Sequence, residues 1–161
     1  MRSIKFKALK DDASGWVYGW LVYRQGDYRI LPIGSEDDFI QIDQDTICQF
    51  TGAYDGTQWD MLDDRHKAKW IENGNEIGDW KGIEIYENDI LVDKDGNNYL
   101  VVYNEGTDTC KGSFYGYGII GEHKSSFDAI NLCSFASNMK VVDNLHTNTS
   151  NIAGKWPINE S

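Results

Sequence analysis

Cysteine, proline, histidine and long apolar runs are all scarce in this chain, and each scarcity removes a class of explanation. There are three cysteines in 161 residues, Cys48, Cys110 and Cys133. The odd count and the lack of a CxxC pair argue against a disulfide framework and fit the reduced thiols of a cytosol. There are three histidines, His66, His123 and His146. None stands with another His or Cys at metal-ligand spacing, so no metal is expected. No run approaches the roughly 18 apolar residues of a membrane helix. The opening MRSIKFKALKDD has no apolar segment of the secretory kind. The expected setting is cytoplasmic, away from membranes. Between residues 31 and 64 there is no basic residue at all, against nine acidic ones. With a net charge of -11, the chain is repelled by phosphate backbones, whose binding depends on Lys and Arg. No affinity for duplex DNA is expected. The long-range field favours basic partners instead. Only the first 30 residues run the other way, with six basic and three acidic side chains.

What the chain has in quantity is aromatic: 6 Trp, 9 Tyr and 6 Phe, beside 2 Pro. Such side chains suit pleated, half-buried surfaces. Ile4 to Ala8 alternates apolar and basic residues, as a strand with one buried face does. Trp16 to Tyr23 and Tyr28 to Leu31, separated by Gln25-Gly26-Asp27, read as a hairpin. Ser35 to Asp38 reads as an acidic loop. Short strands are expected at Ile40 to Ile42 and from Thr46 to Thr51, ending at Gly52. Asp89 to Asp93 and Tyr99 to Tyr103 flank Asp95-Gly96, the signal of a tight primed turn. Ser113 to Ile120, Leu132 to Phe135 and Met139 to Leu145 complete the β pattern. The one strong helical pattern spans about 58–72, with Trp59, Leu62, Ala68 and Trp70 on its apolar side. Its acids come early and its bases late, as the helix dipole prefers. The fold class is therefore mainly β, antiparallel and barrel-like, with one inserted helix. One domain is expected over 1–146, with a helical insertion at 57–81 and a polar tail at 147–161.

Several motifs suggest chemistry, and each meets an objection. In "YGYGIIGEHK", Gly116, Gly118 and Gly121 have dinucleotide-loop spacing. No helical period follows them and no βαβ context surrounds them. A strand is expected there, and no nucleotide or other cofactor. Asp93 to Tyr99 resembles part of a calcium loop, but Gly96 is fourth where the loop needs its glycine sixth. The acidic pairs Asp37-Asp38, Asp63-Asp64 and Glu87 with Asp89 could serve a small hydrolase; with 26 acids, such pairs arise by chance. No GxSxG is present. Trp16, Tyr18, Trp20 and Tyr23 could form a stacking platform for single-stranded nucleic acid within the basic N-terminal hairpin.

The blocks "IKFKALKDD", "WVYGWLV", "DTICQFTGAYDG", "KGIEIYENDIL" and "VVDNLHTNTSNI" follow one another in that order. This series resembles the YopX family of phage and prophage proteins, from Ile4 to Ile152. The block from Glu84 to Ile90 is the most specific. The sequence departs from the family in three ways. Thr57 to Lys81 replaces a short turn, Asn88 stands where glycine is usual, and the last block lacks its proline. The resemblance implies a mainly β, phage-encoded accessory protein of the bacterial cytoplasm, with no catalytic residues to carry over. Its signature residues here are Gly52, Ile85, Tyr86, Asp89 and Ile90. They read as structural: Tyr86 plugging the core, a turn at Asn88, Asp89 bonding the turn backbone and Ile90 opening a strand. The expected activity is protein binding or self-assembly, with no catalysis. Trp59, Leu62 and Trp70 of the insertion are the candidate partner-binding residues. The alternatives are a nucleic-acid-binding β-barrel and a small hydrolase.

Overall fold

The computed structural model describes residues 5–34, 38–105, 115–122 and 130–147. Ile4, residues 35–37, Cys110, Ser113, His123 and the tail from residue 148 lie outside the described residues. The strands are β1 (Phe6–Leu9), β2 (Trp16–Arg24), β3 (Asp27–Pro32), β4 (Ile40–Gln41), β5 (Cys48–Tyr54), β6 (Glu84–Tyr86), β7 (Asp89–Val92), β8 (Asn98–Glu105), β9 (Tyr115–Gly121), β10 (Ile130–Asn131) and β11 (Lys140–Asn144). They form two antiparallel sheets. One has six strands in the order β4-β3-β2-β1-β5-β6 and the other five in the order β10-β9-β8-β7-β11. The sheets do not close into a barrel.

In the six-stranded sheet, alternation sorts side chains as the sequence implies. Ala8 pairs with Val17, and Ile30 with Leu21. These residues bury one face together with Ile42, Phe6, Ile40 and Ile47. The opposite face carries Lys7, paired with Tyr18 and with Cys48. The β2–β3 turn is Gln25-Gly26, with φ of 54° and 85°, between the paired Arg24 and Asp27. Two positive φ values make it the primed two-residue turn that matches strand twist. Gly19 is needed where β2 meets β3, because a Cβ there would run into the Leu31 carbonyl oxygen.

The strand expected to end at Gly52 instead runs through it. Thr46 belongs to a 3-10 turn, and β5 continues to Tyr54. Gly52 has φ 84°, and the pairing with β6 shifts register between Phe50 and Tyr54. A bulge at a glycine bends the strand without ending it.

The five-stranded sheet is buried on both faces around β7, β8 and β9. Leu91, Val101 and Ile119 pack on one side with Ile85, Leu132 and Met139. Ile90, Leu100 and Ile120 pack on the other. Each such burial contributes about 1.5–3 kcal/mol. The β7–β8 hairpin forms where expected, with a different turn. Of Asp95 and Gly96 only Gly96 has positive φ, at 85°. The Asp93 carbonyl accepts from the Gly96 N–H at 3.1 Å, and the Asp93 carboxylate accepts from the Asp95 and Asn97 N–H groups. Asp93 thus organises a longer loop, and the primed turn sits at Gln25-Gly26 instead. Gly116, Gly118 and Gly121 all lie within β9, paired to Asn104, Val102 and Tyr99. The expected strand at Leu132 to Phe135 is two successive 3-10 turns, Leu132–Ser134 and Ala136–Asn138. A short apolar run has no period to distinguish the two.

The insertion also differs from its expected span of 58–72. A 3-10 turn covers Trp59–Met61 and the helix, α1, runs Asp64–Glu72. Asp63 is the N-cap, its carboxylate accepting from the His66 N–H at 2.8 Å. That cap interrupts the helical register and sets the start. No other α-helix occurs among the described residues.

Candidate functional site

The two sheets meet at the turn between β6 and β7. Asp89 opens β7 and is fully buried. One carboxylate oxygen accepts from Lys7 Nζ at 2.6 Å and from Asn144 Nδ2 at 2.9 Å. The other accepts from the Tyr86 N–H at 2.8 Å. Lys7 reaches it from β1, held over the rings of Trp16 at 4.7 Å and Tyr86 at 5.0 Å. A lysine, two aromatic rings and a carboxylate thus form a closed cationic cage filled by the protein's own side chain. Cys48 lies beside it, its Sγ 3.9 Å from the amides of Asn88 and Asn144. Burial pushes the Cys48 thiol up to about 12, so it stays protonated at neutral pH and is a poor nucleophile. Burial also raises Tyr86 and lifts Tyr18 to about 12, with the charges of Asp89 and Glu84 adding to both. Tyr18 as a residue is 41% exposed. Its ring meets that of Tyr86 edge to face at 5.7 Å, which covers part of it.

Asn88 supplies the backbone geometry. Its φ is 67°, a left-handed conformation that Asn tolerates and most residues resist. Its N–H bonds to the Val101 carbonyl and its own carbonyl accepts from the Leu145 N–H, so the strained residue stitches β8 and the end of β11 to the turn. Asn88→Gly should leave stability nearly unchanged, and Asn88→Ala should cost about 1–2 kcal/mol. Urea unfolding midpoints of the two variants check this.

The predicted signature residues are brought together here. Ile85, Tyr86, Asp89 and Ile90 are 0–3% exposed. The Ile85 carbonyl accepts from Thr51 Oγ1, next to Gly52. Asp89 does bond the turn backbone, as expected. Its tie to Lys7 is an addition that the sequence reading missed, because a lysine in an alternating strand reads as solvent-facing. The acidic pairs have structural partners. Glu87 accepts from the Gln49 N–H at 2.8 Å and is raised by burial, Asp63 caps α1, and Asp37 lies outside the described residues.

The insertion leaves and re-enters at one point. The Asp55 N–H donates to the Ile83 carbonyl, and the Asp55 carboxylate accepts from the Ile83 N–H at 2.9 Å. Beyond that neck three indoles cluster. Trp80 meets Trp59 at 5.9 Å and Trp70 at 5.1 Å, both edge to face. Trp80 Nε1 donates to the Thr57 carbonyl, and Trp70 Nε1 to the Glu76 carbonyl. Trp59 and Trp70 are half-buried by this cluster, and Leu62 is buried. So Leu62 is an internal support, and Trp80 is a member that the helical pattern did not include. Helix α1 itself buries no residue. Met61, Ile71 and Ile77 are 57%, 53% and 54% exposed.

A second exposed aromatic group lies on the six-stranded sheet beyond the junction. Trp20 is 44% exposed on the same side as Tyr18. Tyr23, at 64% exposed, falls on the other side, its ring tilted against that of Tyr28 at 5.0 Å.

The chain matches no protein-family model and no curated protein. No group of three or more His, Cys, Asp or Glu among the described residues could hold a metal ion. No helix among them is long and apolar enough to cross a membrane.

Proposed function

We propose that this chain is a phage- or prophage-encoded accessory protein of the YopX kind. On this reading it acts in the host cytoplasm by protein binding or self-assembly, through its tryptophan-bearing insertion, and carries no catalysis. The observation that carries the reading is the state of α1. A helix in a chain of this size ordinarily buries an apolar stripe on its own core. Here no residue of α1 is fully buried and only Trp70 enters the indole cluster, while Met61, Ile71 and Ile77 are exposed. Half-buried tryptophans ringed by exposed aliphatic side chains are the usual make-up of an interface centre. The junction groups support a non-catalytic reading, because Lys7, Asp89, Asn144 and Cys48 bond to one another.

The test separates fold from assembly. The closed neck at Asp55 and Ile83 means that Gln58–Trp80 can be exchanged for a short Asn-Gly turn while β5 and β6 stay paired. The excised chain should keep a cooperative melt. The full chain carrying Met61→Glu, Ile71→Glu and Ile77→Glu should do the same. The parent is expected to form an oligomer by light scattering or to retain a partner in a pull-down, and both variants should lose it. Unchanged assembly in both variants rejects the reading.

A further inference from the structure

We propose that the exposed Tyr18–Trp20 part of the six-stranded sheet is a binding platform for single-stranded nucleic acid. Trp16, Tyr18 and Trp20 alternate along β2 and so share one face, opposite the Ala8, Val17 and Ile30 core. Trp16 is taken up by Lys7 and the Cys48, Phe50 and Tyr86 cluster, which leaves Tyr18 and Trp20 to a ligand. Alternate residues on a strand stand about 6.6–6.8 Å apart, a spacing that lets successive bases each meet a ring. Trp20 is 44% exposed and Tyr18 41%, the latter already meeting the Tyr86 ring at 5.7 Å.

Cations flank the Trp20 end of this strip on both sides. Arg29 on β3 faces Val22 of β2, and its Nε is buried with no protein partner. Arg24, one step beyond Val22 on the same face, is exposed and lies over the Phe39 ring at 5.5 Å. Across the sheet, on the β5 side, Lys81 is exposed over the Tyr54 ring at 5.7 Å, and that ring packs on Phe50, which the pairings of β1 set level with Trp20. The acids that reach this face are mostly engaged. Glu84 is paired with Lys5 and Asp89 with Lys7, while Asp27 sits at the hairpin end opposite Arg24. A chain of net charge -11 therefore presents one place where exposed rings lie beside cations. That combination fits a flexible polyanion with exposed flat bases. A duplex offers phosphates but hides its base faces, and two or three cations neutralise too few phosphates to hold it.

The experiment uses the full chain and fluorescein-labelled oligomers of about 15 nucleotides: oligo-dT, oligo-rU and a mixed-sequence duplex. Saturable binding of one or both single strands is expected, weakening as salt rises, with quenching of tryptophan fluorescence. Trp20→Ala and Arg24→Ala should each weaken binding about tenfold with melting unchanged, and Trp20→Phe should retain most of it. The Met61, Ile71 and Ile77 triple variant should bind as the parent does, which separates this face from the insertion. No saturable single-strand binding at low salt, equal binding of the duplex, or parent-like binding by both alanine variants overturns the proposal.

Discussion

Removing either member of the Lys7–Asp89 pair should destabilise the protein by about 3–5 kcal/mol. The pair is nearly inaccessible, with side-chain exposures of 7% and 1%, and water cannot replace the missing partner. Lys7→Met leaves a buried carboxylate, although Asn144 and the Tyr86 N–H still bond to it. Asp89→Leu is expected to be worse. It strands the Lys7 ammonium between two rings and also leaves the Tyr86 N–H and the Asn144 amide without their acceptor, at about 1–3 kcal/mol for each unsatisfied group. The double variant Lys7→Met, Asp89→Leu removes both charges and should recover part of the loss, because a buried pair often exceeds its apolar replacement in desolvation cost. Recovery should stop short of the parent, since the two orphaned donors remain. Urea unfolding of the four proteins measures the cycle. A double variant less stable than both single ones would show that the cage carries no such penalty. Lys7 is on β1 of one sheet and Asp89 on β7 of the other, so the loss should appear as a single transition that takes both sheets together.

Strand-level information was legible because it is local. The alternation around Lys7 and the aromatic run from Trp16 sort neighbours at period two, while the short apolar runs at Ile90 and Leu100, buried on both faces, stand out by their turn-bounded length. Those patterns located β1, β2, β7 and β8 within a few residues. The start of α1 was also encoded. Asp63 with His66 three residues on is an N-cap signal, but the run of acids at Asp60, Asp63 and Asp64 reads equally well as a helical first turn. The cap decides, because Asp63 bonds both the backbone N–H and the ring of His66.

The polar core was not legible. Lys7 and Asp89 are separated by 82 residues, and Asn144 and Cys48 by 96. Nothing in the composition near Lys7 marks it as buried. A lone charged residue between apolar ones is ordinary on a half-solvated sheet, so only the three-dimensional path of β5 and β6 reveals what encloses it. The insertion shows the same limit in milder form. Its apolar residues announced a cluster, and Trp59 and Trp70 do take part. That they would close on Trp80 and leave Ile71 and Ile77 outside depends on a return path no periodicity describes.

Asp55→Ala should cost at least about 3 kcal/mol, although Asp55 stands in a Tyr-Asp-Gly step that reads as a simple turn. Its carboxylate is 3% exposed as part of the residue and accepts four bonds. One oxygen takes the N–H groups of Thr57 and Ile83, both at 2.9 Å. The other takes the Thr57 hydroxyl at 3.0 Å and the N–H of Val141 at 2.9 Å. Alanine leaves three backbone donors behind the neck of the insertion with no acceptor, and buried donors in that state are strongly unfavourable. Asp55→Asn is the sharper comparison. Its one remaining oxygen can still serve Thr57 and Ile83, but its amide turns a donor toward the Val141 N–H. The loss should then be smaller than for alanine and concentrated on β11. Val141 is the only one of the three backbone donors carried by the five-stranded sheet, so its amide hydrogen exchange should accelerate more than that of Ile83 in the Asn variant, and both should accelerate in the Ala variant. The packing makes a local escape difficult, because glycine is required on both sides of the neck. A Cβ at Gly82 would run into the Asp55 carbonyl, and one at Gly56 into the Ser137 carbonyl. With the backbone pressed that closely, the carboxylate has no room to be replaced by water, and the penalty should appear in full. Equal exchange at Val141 and Ile83 in the Asn variant would refute this division of roles between the two oxygens.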